Sequence, residues 1–298
     1  MVHFLTNFAL KCQRGYDNHK ICKGVRVKIL KKNQKIDLKT DKERGKKIDK
    51  SIEIFGVTIT STRKVDLLKK VWLQRKEMLH IATVNPEYIM EARRNTKFKE
   101  ILSHCLTVAD GHGIVWASQI LNHKFANSQI GGVERISGVT LVEEILIHAN
   151  EKGEKVFLLG ARSGIAEKAA QLMGKKYPNA HFSSYSGAQT VKVEKNEEAS
   201  MTIAKINGFE PDYLFVAYGS PWQDLWIEEN RPYLRVRVAV GVGGTLDEWA
   251  GVVVPCPRWI DQLGLKWLWR LVHEPSRWRR IIRVLQFGWL ILYHKLID

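Results

Sequence analysis

The chain has 298 residues, of which 45% are hydrophobic and 26% are charged, the composition of an ordinary globular protein. It is long enough to bury a large core without disulfides or a structural metal. No run of about 18 uncharged apolar residues predicts a membrane span, and the first residues lack a signal-peptide pattern. The four cysteines have no C-x-x-C spacing, so we expect reduced thiols in a cytoplasmic protein and no zinc site. These features exclude a secreted disulfide scaffold and a multipass membrane protein.

The positive charge is concentrated at the two ends of the chain. The net charge is +16; residues 1–50 contain 15 Lys and Arg against 5 Asp and Glu, and residues 255–298 contain 8 against 3. We expect residues 1–51 to be a basic, mostly disordered extension, with attraction of acidic lipid or nucleic acid as the alternative. The body between the ends is nearly neutral, unlike the basic working face of a nucleic-acid enzyme. We therefore expect no nucleic-acid partner.

From Ile52 the pattern alternates between strands and helices. It predicts a strand pair in IEIFGVTIT, a helix over 63–77, a strand MLHIATVN, one continuous helix over 86–104, a strand LTVA and a helix IVWASQILN. After a polar loop at 122–132 comes an amphipathic helix ended by Gly153, then three strand–turn–helix units that begin at KVFLLG, DYLFVAYG and VRVAVGVG. Apolar strands separated by helices are typical of a mostly parallel sheet with helices on both faces. We therefore predict an α/β domain over 52–254.

Five of the predicted strands end in polar or glycine-rich loops. Because ligands of open parallel sheets bind outside the carboxyl ends of the strands, we expect these loops to form one site. Glycines let backbone N–H groups approach a ligand closely, and helix N-termini favour phosphate, so the pattern indicates a nucleotide-type ligand. Candidate contacts in the first and third loops are Thr83, Asn85 and Gly160. The five loops are residues 83–85, 110–113, 160–164, 219–224 and 241–247.

Asp110 is the candidate general base. It follows the apolar strand LTVA directly and precedes a glycine, so its carboxylate could take a proton from a hydroxyl held nearby. The alternative is a turn-forming or helix-capping aspartate, which is common at such junctions. His112 has no distinct partner in the sequence and stays a loop residue.

Three further side chains are candidates for binding a substrate. Arg135 precedes a helix in ERISG, where the alternative is an ordinary surface arginine. Gln223 lies at a strand-to-helix turn, where an amide could bind a sugar or a base edge. Asp247 could hold a ligand hydroxyl or cap the next helix.

The expected phosphate chemistry needs no metal. The turn G-A-R-S-G is neither G-x-G-x-x-G nor G-x-x-x-x-G-K-[ST], so a nicotinamide oxidoreductase and a P-loop enzyme are disfavoured. The chain also has no D-x-D. A sugar-nucleotide enzyme of this kind would neutralise its leaving diphosphate with Arg, Lys and backbone donors. We therefore expect no metal and no cofactor.

Residues 255–298 predict a helical segment rich in Trp and Arg. Six of the ten tryptophans lie between Trp249 and Trp289, and Pro275 divides the segment into two helices. Basic residues beside Trp and Leu suit a membrane interface, whereas the apolar run 281–293 is too short to span a bilayer. The alternative is a helix packed on the core with its arginines in water.

Seven motifs in a fixed order resemble the WecG/TagA/CpsF family of bacterial glycosyltransferases over about residues 52–285. Any one of them is weak, but their order is specific. They are ATVN at 82–85, ADGHGIVWAS at 109–118, ERISG at 134–138, FLLGARSG at 157–164, YGSPWQDLWI at 218–227, GVGGTLDEWAG at 241–251 and GLKWLWRLVHEPSRWRR at 264–280.

The resemblance implies a Rossmann-like fold with a C-terminal appendage and an inverting transfer of a sugar of the N-acetylmannosamine type. The donor would be a UDP-sugar and the acceptor a polyprenyl-diphosphate-linked sugar, in cell-envelope or exported polysaccharide synthesis. The enzyme would act as a peripheral protein on the inner face of the cytoplasmic membrane, and a homo-oligomer is left open.

The resemblance also assigns roles to individual residues. Asp110 matches the general base of the family. Other pocket positions match Thr83, Arg135 and Gln223, and the arginines that would clamp the lipid diphosphate match Arg270, Arg277 and Arg280.

The chain departs from the family pattern in three motifs. It has P-W-Q-D where the family has P-K-Q-E, and Pro255-Cys256-Pro257 where the family has R-A-P. Lys266 and Trp269 replace an acid and a tyrosine. The rival interpretation is a non-catalytic nucleotide-sugar or nucleic-acid binding protein on the same fold.

Overall fold

A computed structural model describes residues 50–121, 133–188, 191 and 196–297. The predicted basic extension, apart from its last two residues, and the predicted polar loop at 122–132 lie outside these ranges. The strands are β1 (Lys50–Ile54), β2 (Val57–Ser61), β3 (Leu79–Val84), β4 (Leu106–Ala109), β5 (Lys155–Gly160), β6 (His181–Tyr185), β7 (Tyr213–Ala217) and β8 (Val238–Gly241).

Helices follow most of the strands. They are α1 (Lys64–Leu73), α2 (Pro86–Ala92), α3 (Thr96–His104), α4 (His112–Leu121), α5 (Gly138–Lys152), α6 (Ile165–Lys176), α7 (Asn196–Phe209), α8 (Trp222–Asn230), α9 (Thr245–Trp249), α10 (Arg258–Gln262), α11 (Lys266–His273) and α12 (Trp278–Ile297).

Six strands form one parallel sheet in the order β4-β3-β8-β7-β5-β6, and β1 and β2 form a separate antiparallel hairpin. Side chains alternate between the two faces along each strand. Leu158 and Phe215 pack with α1, α5, α6 and α9 on one face, whereas Phe157 and Leu214 pack with α7 and α8 on the other. The predicted α/β fold with helices on both faces is confirmed.

Capping residues set two helix ends that the sequence predicts. Pro86 occupies the first position of α2, and the side chain of Asn85 accepts a hydrogen bond from the backbone N–H of Tyr88 at 3.1 Å. Gly153 ends α5 in the left-handed conformation, with a φ of 66°.

The predicted continuous helix over 86–104 is wrong, because the chain forms two helices there. Asn95 has an extended backbone, and its side chain accepts a hydrogen bond from the N–H of Phe98 at 3.0 Å, which starts α3. The predicted helix over 63–77 also ends early, at Leu73.

The pair β6 and α7 has no counterpart in the prediction. β6 lies at the edge of the sheet, and its sequence HFSSY is polar and only partly buried. An edge strand of this kind lacks the continuous apolar run by which the central strands are recognised.

The C-terminal helix α12 packs on α2 and α4. Phe287 and Ile291 are buried in the same core cluster as these helices. Arg283 pairs with Glu91 at 3.2 Å on the polar side of the contact. The two helices predicted around Pro275 are confirmed, and the second of them shares the core of the body.

A buried ionic cluster lies at the amino end of β3. Glu228 accepts hydrogen bonds from Arg231 at 2.9 Å and from the ring Nδ1 of His80 at 2.7 Å. Burial alone would raise the pKa of Glu228, but the hydrogen bonds from His80 and Arg231 outweigh it and lower the pKa to about 2. The carboxylate is therefore more stable in the folded chain than in the unfolded one.

We predict that this cluster makes the protein sensitive to acid. Because the pKa of Glu228 is depressed from 4.5 to about 2 on folding, its contribution is complete above about pH 4.5 and lost as the pH falls toward 2. Its size is at most about 3 kcal/mol. Urea unfolding of Glu228→Gln should show lower stability at pH 7 and a weaker loss between pH 5 and 3. The control is Glu229→Gln, whose carboxylate pairs with Lys97 at the surface; equal acid profiles for the two variants would contradict the prediction.

Candidate active site at the carboxyl ends of the parallel strands

Asp110 lies at the carboxyl edge of the sheet, level with the end of the neighbouring strand. Val84 pairs with Ala109, and the backbone N–H of Asp110 donates to the carbonyl oxygen of Val84 at 2.8 Å. Within the described part of the chain, no side chain donates a hydrogen bond to the Asp110 carboxylate.

The surroundings of Asp110 combine burial with positive charge. Burial raises the pKa of Asp110, and the charges of Lys266 and Arg135 oppose that rise. The Asp261 carboxylate adds to the rise, and Arg270 opposes it with a smaller effect. A carboxylate with a raised pKa is a stronger base than one in water. The nearby cations also suit the approach of an anionic substrate.

Arg135 ties the loop before α5 to helix α10. Its Nη2 donates to both carboxylate oxygens of Asp261, at 2.6 and 2.7 Å. Its Nη1 lies 3.2 Å from Nε2 of His112, which is itself 3.1 Å from the carbonyl oxygen of Asp261. The structure thus places both Arg135 and His112 in this contact. No sequence pattern pointed to Asp261, since it lies 126 residues from Arg135.

Two of the three predicted clamp arginines converge on the glycine-rich loop after β8. A Cβ built on Gly244 would lie 3.5 Å from Nη2 of Arg277 and 3.9 Å from Nη1 of Arg270. Arg270 pairs with Glu248, which lies in α9, the helix that follows this loop. Arg280 lies elsewhere, with its Nε 3.9 Å from Glu87 of α2.

The loops after β5 and β8 also meet. Nη2 of Arg162 lies 3.7 Å from the Asp247 carboxylate. Gly160 has a φ of 99°, and a Cβ there would lie 2.8 Å from the ring of Tyr218. The glycine at 160 is therefore explained by close packing against the neighbouring strand.

Asn85 and Gln223 have hydrogen-bond partners in the protein, and Thr83 lies beside Gly138. Thr83 is buried, and its Oγ1 lies 3.2 Å from the position of a Cβ on Gly138. Asn85 caps α2. Gln223 is 3% exposed and donates from Nε2 to the hydroxyl of Tyr88 at 2.7 Å. The structure explains these residues as parts of the framework, and their contact with substrate stays a prediction.

Among the described residues, one group has the composition of a metal site: His80, Cys105 and Glu228. It lies at the amino end of β3, opposite the edge that carries Asp110. The 2.7 Å between Nδ1 of His80 and the Glu228 carboxylate is a hydrogen-bond length. Tetrahedral ligands at 2.0–2.1 Å from zinc would be separated by about 3.4 Å. The group is therefore a hydrogen-bonded cluster.

Comparison with known proteins gives a consistent result. Residues 52–298 match the family model described as Glycosyl transferase WecG/TagA/CpsF family. A protein of Bacillus subtilis strain 168, named N-acetylglucosaminyldiphosphoundecaprenol N-acetyl-beta-D-mannosaminyltransferase, is 30% identical over 76% of this chain and 84% of its own length. A Staphylococcus aureus MRSA252 protein with the same name is 31% identical over 78% of this chain and 87% of its own.

We predict that Gly241 admits no side chain. A Cβ there would lie 2.3 Å from Nε2 of Gln223, and Gln223 is buried and hydrogen-bonded at both ends of its amide. Gly241→Ala should lower the free energy of unfolding by about 1–3 kcal/mol in urea titrations. Gly208→Ala is the control, because its added Cβ meets nothing within 4 Å and replaces a helical glycine. Equal stability of the two variants would show that Gln223 moves aside freely.

Proposed function

Since the chain belongs to the WecG/TagA/CpsF family of glycosyl transferases and is therefore a glycosyltransferase, we propose that it moves an N-acetylmannosamine-type sugar from a UDP-sugar to a polyprenyl-diphosphate-linked acceptor. The two relatives carry this acceptor and this sugar in their names. The product would serve cell-envelope or exported polysaccharide synthesis. The observation that carries the proposal is the Asp110 carboxylate, half-buried among cations at the carboxyl edge of the sheet.

The proposed reaction is a single displacement. Asp110 accepts the proton of the acceptor hydroxyl while that oxygen forms a bond to the anomeric carbon of the donor sugar. The bond from this carbon to the phosphate oxygen breaks on the opposite face, and UDP leaves with the electron pair. The configuration at the anomeric carbon inverts, and the proton remains on Asp110.

Negative charge grows on the leaving diphosphate, and the site offers cations to stabilise it. Lys266 and Arg135 are the two positive groups with the largest effect on Asp110. We propose that such side chains, with backbone N–H groups, take the part that a bound metal plays in other sugar-nucleotide enzymes. Arg277 and Arg270, at the Gly244 loop, are proposed to hold the diphosphate of the lipid acceptor.

Membrane association would bring the enzyme to its acceptor. Among the described helices, none combines the length and the apolar character that a bilayer span requires. α12 instead carries a second apolar stripe on the side away from its buried residues, with a helical spacing that puts its members on one face. We propose that this stripe lies in the inner surface of the cytoplasmic membrane. Its exposed members are Leu285, Trp289, Leu292 and Leu296.

We predict that Asp110→Asn abolishes most turnover. UDP release is measured without added metal, from a panel of UDP-sugars with a polyprenyl-diphosphate-GlcNAc analogue. The variant keeps the shape of the side chain but loses the base, so acceptor-dependent kcat should fall by about 10²-fold or more. Asp212→Asn is the control at the opposite edge of the sheet, where Asp212 accepts from the backbone N–H of Lys155.

Equal release by Asp110→Asn and the wild type would remove Asp110 as the base. If no donor and acceptor pair supports release by the wild type, the proposed donor and acceptor are contradicted.

We predict that the double variant Leu285→Gln/Leu292→Gln loses membrane binding. Both side chains are 56% exposed, so the changes should leave the fold intact while they remove apolar area from the proposed contact. Cosedimentation with vesicles that contain anionic lipid should fall at least about tenfold. Leu73→Gln, at an exposed leucine of α1, is the control. Unchanged cosedimentation of the double variant would contradict the membrane assignment of α12.

A further inference from the structure

A buried chain of hydrogen bonds ends at the loop on which Arg270 and Arg277 converge. The backbone N–H of Gly243 donates to Oε1 of Gln223 at 2.9 Å. On its other side, Nε2 of Gln223 donates to the hydroxyl oxygen of Tyr88 at 2.7 Å. A backbone N–H can only donate, so Gln223 has to present its oxygen to the loop.

The direction of this chain is set at its other end. The Tyr88 hydroxyl donates to Oδ2 of Asp224 at 2.7 Å, and Oδ1 of Asp224 lies 3.2 Å from Nε2 of His80. Asp224 and His80 are buried. A tyrosine hydroxyl has one proton to donate in a hydrogen bond. Because Tyr88 donates it to Asp224, the hydroxyl oxygen is the atom that accepts from Gln223.

The charge state of the cluster supports this direction. Both ring nitrogens of His80 face carboxylates, those of Asp224 and Glu228. Burial alone would lower the pKa of His80, but Cys105, whose Sγ lies 3.1 Å from Nδ1, and the hydrogen bonds with Asp224 and Glu228 raise the pKa well above 6.5. A protonated His80 offers an N–H to each carboxylate, and the second oxygen of Asp224 accepts from the Tyr88 hydroxyl.

We propose that Tyr88 and Asp224 are positioning residues that fix the amide of Gln223, and through it the Gly243–Gly244 loop, in the conformation that binds the acceptor diphosphate. The inference rests on the proposed function. It also gives a role to the departure from the family pattern at P-W-Q-D. Asp224, the aspartate that stands where the family has a glutamate, lies in this network. Neither residue contacts the reacting atoms. Their effect on catalysis passes through Gln223 and the loop.

The test is Tyr88→Phe, which removes the hydroxyl and keeps the ring. Nε2 of Gln223 then loses its acceptor, and the amide is free to turn away from Gly243. The apparent KM for the polyprenyl-diphosphate acceptor should rise about tenfold while kcat stays within about twofold. A soluble short-chain polyprenyl diphosphate, titrated calorimetrically, should bind about tenfold more weakly. The second measurement does not depend on turnover.

Tyr213→Phe is a matched control. Tyr213 is also buried, and its hydroxyl also donates to a carboxylate at 2.7 Å, that of Glu154 at the amino end of β7. Both variants should lose stability, and only Tyr88→Phe should change diphosphate binding. Asp224→Asn is the second variant, for the case that Tyr88→Phe does not fold. It should reproduce the tenfold loss, because protonated His80 holds the amide oxygen and the amide Nδ2 then faces Tyr88 as a donor. The tyrosine proton is left to point at Gln223, whose amide has to turn.

Three outcomes would overturn the inference: wild-type binding by Tyr88→Phe, an equal loss in Tyr213→Phe, or a shift in the pH profile of kcat in place of the change in KM. The last outcome would mean that Tyr88 acts on Asp110, because the charge of Asp110 is one of the causes that raise the pKa of Tyr88. Failure of the proposed function is distinct. A wild-type protein that binds the diphosphate but transfers no sugar from any donor would contradict the transferase reaction and leave the positioning role in place.

Discussion

The parallel arrangement of the six strands is the constraint on which the site depends. Because every strand of this sheet points the same way, the loops that follow them meet at one edge. This edge gathers Asp110 after β4, Arg162 after β5 and Asp247 after β8, although up to 137 residues separate them along the chain. The convergence of these residues depends on the common direction of the strands more than on the conformation of any one loop.

The C-terminal segment completes the site by supplying charge. Asp261 holds Arg135, and Glu248 holds Arg270, so that cations stand around the half-buried Asp110 carboxylate. Without the charges of Lys266, Arg135 and Arg270, burial would raise the pKa of Asp110 further. The same segment is anchored through Phe287 in the core. Deleting it would therefore expose apolar surface, and point substitutions are the better way to probe it.

The sequence predicts most of the framework because β3, β5, β7 and β8 are apolar runs that end in glycine or polar residues. It fails where the apolar pattern is weak or where one residue overrides it. β6 is a polar edge strand, and Asn95 interrupts an apolar helical pattern with one capping bond. In the site, strand ends and motifs point to Asp110 and Arg270. They give no sign that Gln223 faces Tyr88 and Gly243, since these contacts join residues 135 and 20 positions apart.

The anomeric configuration of the disaccharide product decides whether the sugar is transferred in one displacement step, the reaction in which Asp110 would act as the base. It can be read from the one-bond ¹³C–¹H coupling at the transferred sugar. We expect a configuration inverted relative to the UDP-sugar donor. Retention would contradict the single displacement, because two displacements would then be needed and Asp110 would have to be reconsidered as a nucleophile.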